Sequence, residues 1–122
     1  MDPVHVGRLE PGEWLGRRIH VVIDRPLGST HPAGGFRYEV NYGYVPGFIS
    51  PDGEELDVYV LGPVEPLDEY EGDVIAVVLR SDDVEDKLVV GAGADWTAAA
   101  IANAIEFQEQ FFDSRVVTAA VQ

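Results

Sequence analysis

Apolar and polar positions alternate along several short stretches of this chain, and clusters of glycine and proline separate them. Alternation with a period of two marks strands that bury one face. In residues 17–24, Ile19, Val21 and Ile23 fall on one face and His20, Val22 and Asp24 on the other, which predicts a first strand. In residues 36–44, Tyr38, Val40, Tyr42 and Tyr44 oppose Glu39, Asn41 and Gly43, and Val45-Pro46-Gly47 then reads as a turn. In residues 56–61, Leu56, Val58 and Val60 oppose Asp57, Tyr59 and Leu61. Residues 73–80 and 88–90 are strongly apolar and complete about five strands. The period then changes to that of a helix. Thr97 is a plausible N-cap, and Ile101, Ala104, Ile105, Gln108, Phe111 and Phe112 form one face. Phe111 and Phe112 are expected to pack this helix onto the sheet, and Arg115 to Thr118 to add a last short strand. Residues 1–16 read as a loose lead-in, in which His5 and Trp14 serve surface packing. Residues 25–35 and 62–72 read as loops. Short strands with turns between them suggest a closed or nearly closed barrel, since closure removes exposed edges. The expected class is mainly β (α+β), with one C-terminal helix packed against the barrel.

Composition narrows the partners. The 122 residues suit a single domain, 1–122, with one core, and 46% hydrophobic content is enough to fold it. A formal net charge of -14 argues against nucleic acid and anionic membrane surfaces, which both call for basic patches. An acidic protein that handles a polyanion needs cations between itself and the substrate. With no cysteine, neither disulfides nor thiolate zinc sites are available. No basic segment followed by an apolar run opens the chain and no stretch approaches membrane-span length, so a soluble, cytoplasmic protein is expected.

Candidate chemistry concentrates in two acidic stretches. Asp52-Gly53-Glu54-Glu55-Leu56-Asp57 places four acids within six positions at the mouth of a strand. Asp52 and Glu54 should lie on the turn and Asp57 on the strand. Such a cluster is either a solvated hairpin turn or a cradle for a hard cation; magnesium takes oxygen ligands and commonly uses one or two carboxylates plus substrate phosphates. The second stretch, Ser81 to Lys87, holds four acids and the chain's one lysine. Lys87 either neutralises those acids or meets a substrate that the acids hold through metal. Arg25, Ser29 and His31, in the glycine- and proline-rich loop, are groups able to bind an anion, or simply parts of a polar connection. The tyrosine stripe fits core or interface, though a phenol can donate to a phosphate oxygen.

Taken together, these segments resemble the soluble family I inorganic pyrophosphatases. Tyr38 to Gly47 looks like the family's tyrosine-rich strand and turn, Asp52 to Val58 like its signature of three acids, and Asp82 to Lys87 like its second acidic loop ending in a lysine. The resemblance covers about Ile19 to Val90, and implies a five-stranded OB-like barrel with helices outside it. It implies magnesium as cofactor, with Asp52, Asp57 and Glu54 as ligands together with Asp82 or Asp83 and Glu85 or Asp86. Asp57 corresponds to the acid nearest the nucleophilic water. Glu54 replaces an aspartate that serves as base or ligand, adding a methylene. Tyr42 and Tyr38 correspond to active-site tyrosines, Lys87 to a phosphate-binding lysine, and Asp24 to an acid at or just behind the ligands. Two features of the family are missing: no Lys-x-Glu precedes the tyrosine strand, and Phe111 and Phe112 stand nearest the position of a Tyr-Lys pair in the C-terminal helix. Arg25, His31 and Arg37 are the available replacements for that cationic grip.

The expected activity is therefore metal-dependent hydrolysis of pyrophosphate to two phosphates, with Asp57, Glu54, Lys87 and Tyr42 as the catalytic set. Two competing expectations are hydrolysis of another phosphoanhydride or phosphoester, and a catalytically silent barrel that binds metal or a partner. The family's members assemble into oligomers, so a homo-oligomer is possible.

Overall fold

The computed structural model describes residues 2–82, 85–91 and 96–119. Its elements are β1 (Val4–His5), α1 (Pro11–Trp14), β2 (Arg18–Arg25), β3 (Asn41–Ile49), β4 (Glu55–Leu61), β5 (Glu69–Arg80), β6 (Lys87–Gly91), α2 (Ala98–Glu109) and β7 (Ser114–Thr118). Strands β2, β3, β4, β6 and β5 pair in a ring that closes between β5 and β2. Four of these pairings are antiparallel, and β4–β6 is parallel. This is a five-stranded OB-like barrel, as expected, with β1 added to β3, β7 added to β5, and α2 outside.

Alternation gives the barrel two apolar layers. The interior is filled by Ile19, Val21, Ile23, Val45, Leu56, Val58, Val60, Leu88 and Val90. The outer layer, beneath α2, is built from Tyr38, Tyr42, Tyr59, Leu61, Val89, Ile101, Ile105 and Phe107. A bulge in β5 resets the parity there. Val74 pairs Val90 but Ala76 pairs Val89, so Val74 and Val77 both face inward while Ala76 and Val78 join the outer layer. Between β2 and β3, Gly43 leaves no room for a side chain: a Cβ there would lie 1.9 Å from the carbonyl oxygen of Val22.

Four elements depart from the sequence-based expectation. Residues 2–16 are not a loose lead-in. Leu9 and Trp14 are buried in the barrel core, and the Arg17 guanidinium lies 4.5 Å from the Trp14 ring. The segment is tied down where buried Asp86 accepts hydrogen bonds from the Arg8 side chain and the Leu9 amide. Strand β3 begins at Asn41 rather than Phe36 and runs through Val45-Pro46-Gly47, which is not a turn. Its register jumps from Val45↔Leu56 to Ile49↔Glu55, so Pro46, which has no N–H to offer, falls in the unpaired excess. Strand β5 begins inside the expected loop, at Glu69. Its acids are the solvated face of a strand, and Glu71 and Asp73 each lie 3.5 Å from Arg18 across the β2 pairing. Helix α2 stops at Glu109. Phe107 packs in place of the two later phenylalanines, and Phe111 is 60% exposed.

Candidate active site

The outer face of the barrel brings the site together. On β4, Asp57 shares a face with Tyr59 and Leu61; on β6, Lys87 shares a face with Val89; on β3, Tyr42 pairs opposite Tyr59. The consequence is a direct ion pair: Lys87 Nζ lies 2.7 Å from Asp57 Oδ2 and 5.9 Å from the centroid of the Tyr42 ring. The lysine side chain is almost fully buried and that of Asp57 is about one-quarter exposed. The feeding turn contains Gly53 at φ +89°, a conformation that glycine adopts without strain. Asp52 Oδ1 accepts from the Glu54 amide within it, at 3.0 Å.

A cavity of about 620 Å³ opens over this pair. Of the residues singled out from the sequence, Arg25, His31, Tyr38, Tyr42, Asp52, Glu54, Asp57, Glu85 and Lys87 line it, as does Asp24. Arg37 and Asp82 do not. Arg37 is exposed and its backbone bridges Thr30, while the Asp82 carboxylate accepts from the Asp113 amide at 3.1 Å. Ser29 is also outside the lining, its hydroxyl donating to the Pro26 carbonyl. Asp83, the alternative to Asp82, lies outside the described residues. Of the other pair, Asp86 is committed to holding Arg8, Leu9 and the Arg80 amide, whereas Glu85 faces the cavity.

The loop from Arg25 to Gly35 forms the facing wall, and buried Asn41 anchors it. Asn41 Oδ1 accepts from the amides of Leu27 and Leu67, and its Nδ2 donates to the Glu65 carbonyl. One side chain thus joins both long loops to the barrel. Within the wall, His31 Nδ1 accepts from the Gly34 and Ala33 amides at 2.7 and 3.1 Å. That fixes the imidazole with Nε2 as its remaining polar atom.

Charge defines what the cavity can do. Among the described residues, six carboxylates line it (Asp24, Asp52, Glu54, Glu55, Asp57 and Glu85) against three permanent cations, Arg25, Arg80 and Lys87. Burial, then the neighbouring Asp52 and Asp57 carboxylates, push Glu85 up to about 7 against the opposing pull of Lys87. Burial also raises Asp24, with Asp57 adding to the effect and Arg25 working against it. Tyr42 is held well above its ordinary value, first by burial and then by Asp57, so it is a neutral hydrogen-bonding group at any physiological pH. Among the described residues, no three or more His, Asp or Glu side chains converge closely enough to hold a metal ion by themselves.

A polar network that the sequence reading missed reaches from one wall of the cavity into the protein. Arg80 Nε and Nη2 donate to the Glu109 carboxylate at 3.1 and 2.6 Å, and both side chains are nearly inaccessible. The Tyr59 hydroxyl donates to the same carboxylate. Gln108 Nε2 donates to the Tyr59 oxygen at 2.7 Å, and the Tyr38 hydroxyl donates to Gln108 Oε1 at 3.0 Å. A signal for it existed: Gln108 and Glu109 fall on the stripe of α2 that also carries Ile101 and Ile105, where a polar residue requires a partner.

No protein-family model matches the chain, and no curated protein matches its sequence. Comparison of the fold gives a consistent result. An inorganic pyrophosphatase from Ehrlichia chaffeensis superposes with a TM-score of 0.66 at 14% identity, over 85% of this chain and 87% of that one. The inorganic pyrophosphatase of Helicobacter pylori gives 0.59 at 17% identity, over 90% and 87%. That of Coxiella burnetii gives 0.58 at 18% identity, over 90% and 89%. The chain therefore has the fold of the inorganic pyrophosphatases.

Proposed function

We propose that this protein is a metal-dependent hydrolase that cleaves pyrophosphate to two phosphates in the cavity above Asp57 and Lys87. The observation that carries the reading is the convergence of Asp52, Asp57, Glu85, Lys87 and Tyr42 on one cavity from separate elements of a pyrophosphatase-like barrel. Barrel stability alone calls for no such set. A buried lysine and phenol beside an excess of carboxylates suit a polyanion that arrives with its own cations.

The donor set fits magnesium. Every candidate ligand is a carboxylate oxygen, the kind of ligand that a hard divalent cation takes. Asp52, Asp57 and Glu85, with Glu54 beside them, would hold the ion jointly with phosphate oxygens. A divalent cation held by these residues would neutralise phosphate charge and favour attack by water. The chain's own residues do the rest. Lys87 exchanges its bond to Asp57 for one to a phosphoryl oxygen, and Tyr42 donates its phenolic proton in a hydrogen bond without ionising. Arg25 and His31 Nε2 take the departing phosphate from the opposite wall. Glu54 accepts a proton from the attacking water as the bridging P–O bond breaks. Most of this is positioning and electrostatics, as phosphoryl transfer generally requires.

The reading predicts phosphate release from pyrophosphate in the presence of magnesium, abolished by chelator and restored by added metal. A folded protein that releases no phosphate under any divalent cation would refute it.

A further inference from the structure

The cavity is larger and less polar than pyrophosphate requires. A water accounts for roughly 30 Å³ of liquid, so the seven oxygens of pyrophosphate occupy on the order of 200 Å³. About 620 Å³ lies open, within the range of roughly 300–1,000 Å³ typical of sites for organic ligands. Part of the remaining wall is aromatic. Phe36 and Phe111 line it with ring centroids 5.5 Å apart, and His31 stacks on Phe36 at 4.7 Å and 28°. Phe112 lines it too, its ring 3.6 Å from the Arg80 guanidinium. Phe111 is among the few large hydrophobic side chains left exposed, at 60%. It sits just past the end of α2, where it contributes nothing to the packed layer beneath that helix.

From this division into an ionic end and an aromatic end, we infer that the cavity takes an organic ester of pyrophosphate. The class is a nucleoside 5′-diphosphate, whose base stacks on Phe111 and Phe36 while its two phosphates occupy the place of pyrophosphate. The inference rests on the pyrophosphate reading of the ionic end and specifies what the other end is for. Any base presents a π-face, so the stack selects a planar ring rather than one base. The reaction keeps the same balance. Water oxygen bonds to the terminal phosphorus, the bond from that phosphorus to the bridging oxygen breaks, and the water's proton passes to a site carboxylate and then to solvent. The products are a nucleoside monophosphate and orthophosphate.

The test compares two non-hydrolysable ligands by calorimetry in magnesium: methylenediphosphonate and adenosine 5′-(α,β-methylene)diphosphate. The nucleoside compound is expected to bind about tenfold or more tightly than methylenediphosphonate, as base–aromatic stacking of roughly 1–3 kcal/mol implies. In Phe111→Ala, whose side chain is exposed and whose loss leaves the core intact, that advantage should shrink to less than about threefold. The ratio of kcat/KM for ADP over pyrophosphate should fall in parallel. Equal binding of the two ligands, or an advantage that survives Phe111→Ala, overturns the inference and leaves the pyrophosphate reading standing. Failure of methylenediphosphonate to bind, together with no hydrolysis of pyrophosphate, overturns both.

Discussion

The buried ion pair between Arg80 and Glu109 fastens the C-terminal end of α2 to the barrel. Glu109 accepts two hydrogen bonds from Arg80 and one from Tyr59, and the side-chain exposures of the pair are 3% and 4%. Replacing Arg80 by Met keeps most of the aliphatic stem but leaves the buried carboxylate with the phenolic donor of Tyr59 in place of the guanidinium. Breaking one half of a buried pair costs about 3–5 kcal/mol, chiefly because the surviving charge is uncompensated. For a domain of this length that lowers Tm by roughly 10–20 °C. The double variant Arg80→Met/Glu109→Leu removes both charges at once and should recover most of the loss, because an apolar pair of similar volume is often neutral. Urea denaturation of wild type, both single variants and the double variant gives the coupling directly. The expected coupling is about 2 kcal/mol or more. A cost below about 1 kcal/mol for Arg80→Met, or strict additivity in the double variant, would refute the assignment of this pair as the anchor of α2.

Two further outcomes follow from the geometry. Gly43→Ala puts a methyl against the Val22 carbonyl at a point where only backbone can yield, and should cost about 2–4 kcal/mol in denaturant melts, whereas an unchanged midpoint would mean that β2 and β3 separate easily. Glu85 gives a pH dependence. Unfolded, it releases its proton near pH 4.5; folded, it holds it to about pH 7, so the native state binds the extra proton between these values and metal-free stability falls as pH rises through that window. The effect is no more than about 1–2 kcal/mol once solvent screening of a partly exposed group is allowed for. Magnesium binding at pH 6 should release close to one proton per site. Glu85→Gln should abolish both effects, and identical pH profiles for variant and wild type would contradict the coupling of Glu85 to its acidic neighbours.

The barrel was legible in the sequence wherever alternation was uninterrupted. The two faces of β2 and β4 came out as read: Ile19, Val21 and Ile23 inside, and Leu56, Val58 and Val60 opposite Asp57 and Tyr59. The expected N-cap is also present, with Thr97 Oγ1 accepting from the Ala100 amide at 3.1 Å. Legibility failed where tertiary contacts override local pattern. The Val74/Ala76 bulge breaks the period, so alternation alone could not assign Val77 to the interior. Pro46 and Gly47 carry turn chemistry, but the mismatch in β3 accommodates them within a strand. Residues 69–72 read as a loop because Arg18, the cationic partner of Glu71, is some fifty residues away in sequence. In the site, most candidate residues do line one cavity, because strand parity delivers Asp57 and Lys87 to the same face. Asp86 could not be separated from Glu85 by spacing. What distinguishes them is Arg8, seventy-eight positions earlier, which claims Asp86 for the fold. Arg80 and Glu109 escaped notice for the same reason, each unremarkable until paired.

The most direct test of the account is steady-state phosphate release from pyrophosphate in magnesium by wild type and Asp57→Asn, with the fold of both checked by thermal melting. Asp57 bonds Lys87 and lines the cavity beside Asp52 and Glu85, so under the proposed function its carboxylate would serve both the cation and the lysine. The account predicts magnesium-dependent release by wild type and a loss of at least about a hundredfold in a folded Asp57→Asn, in line with the several kcal/mol that preorganised charge supplies to such reactions. Wild-type turnover that persists unchanged in Asp57→Asn would contradict it.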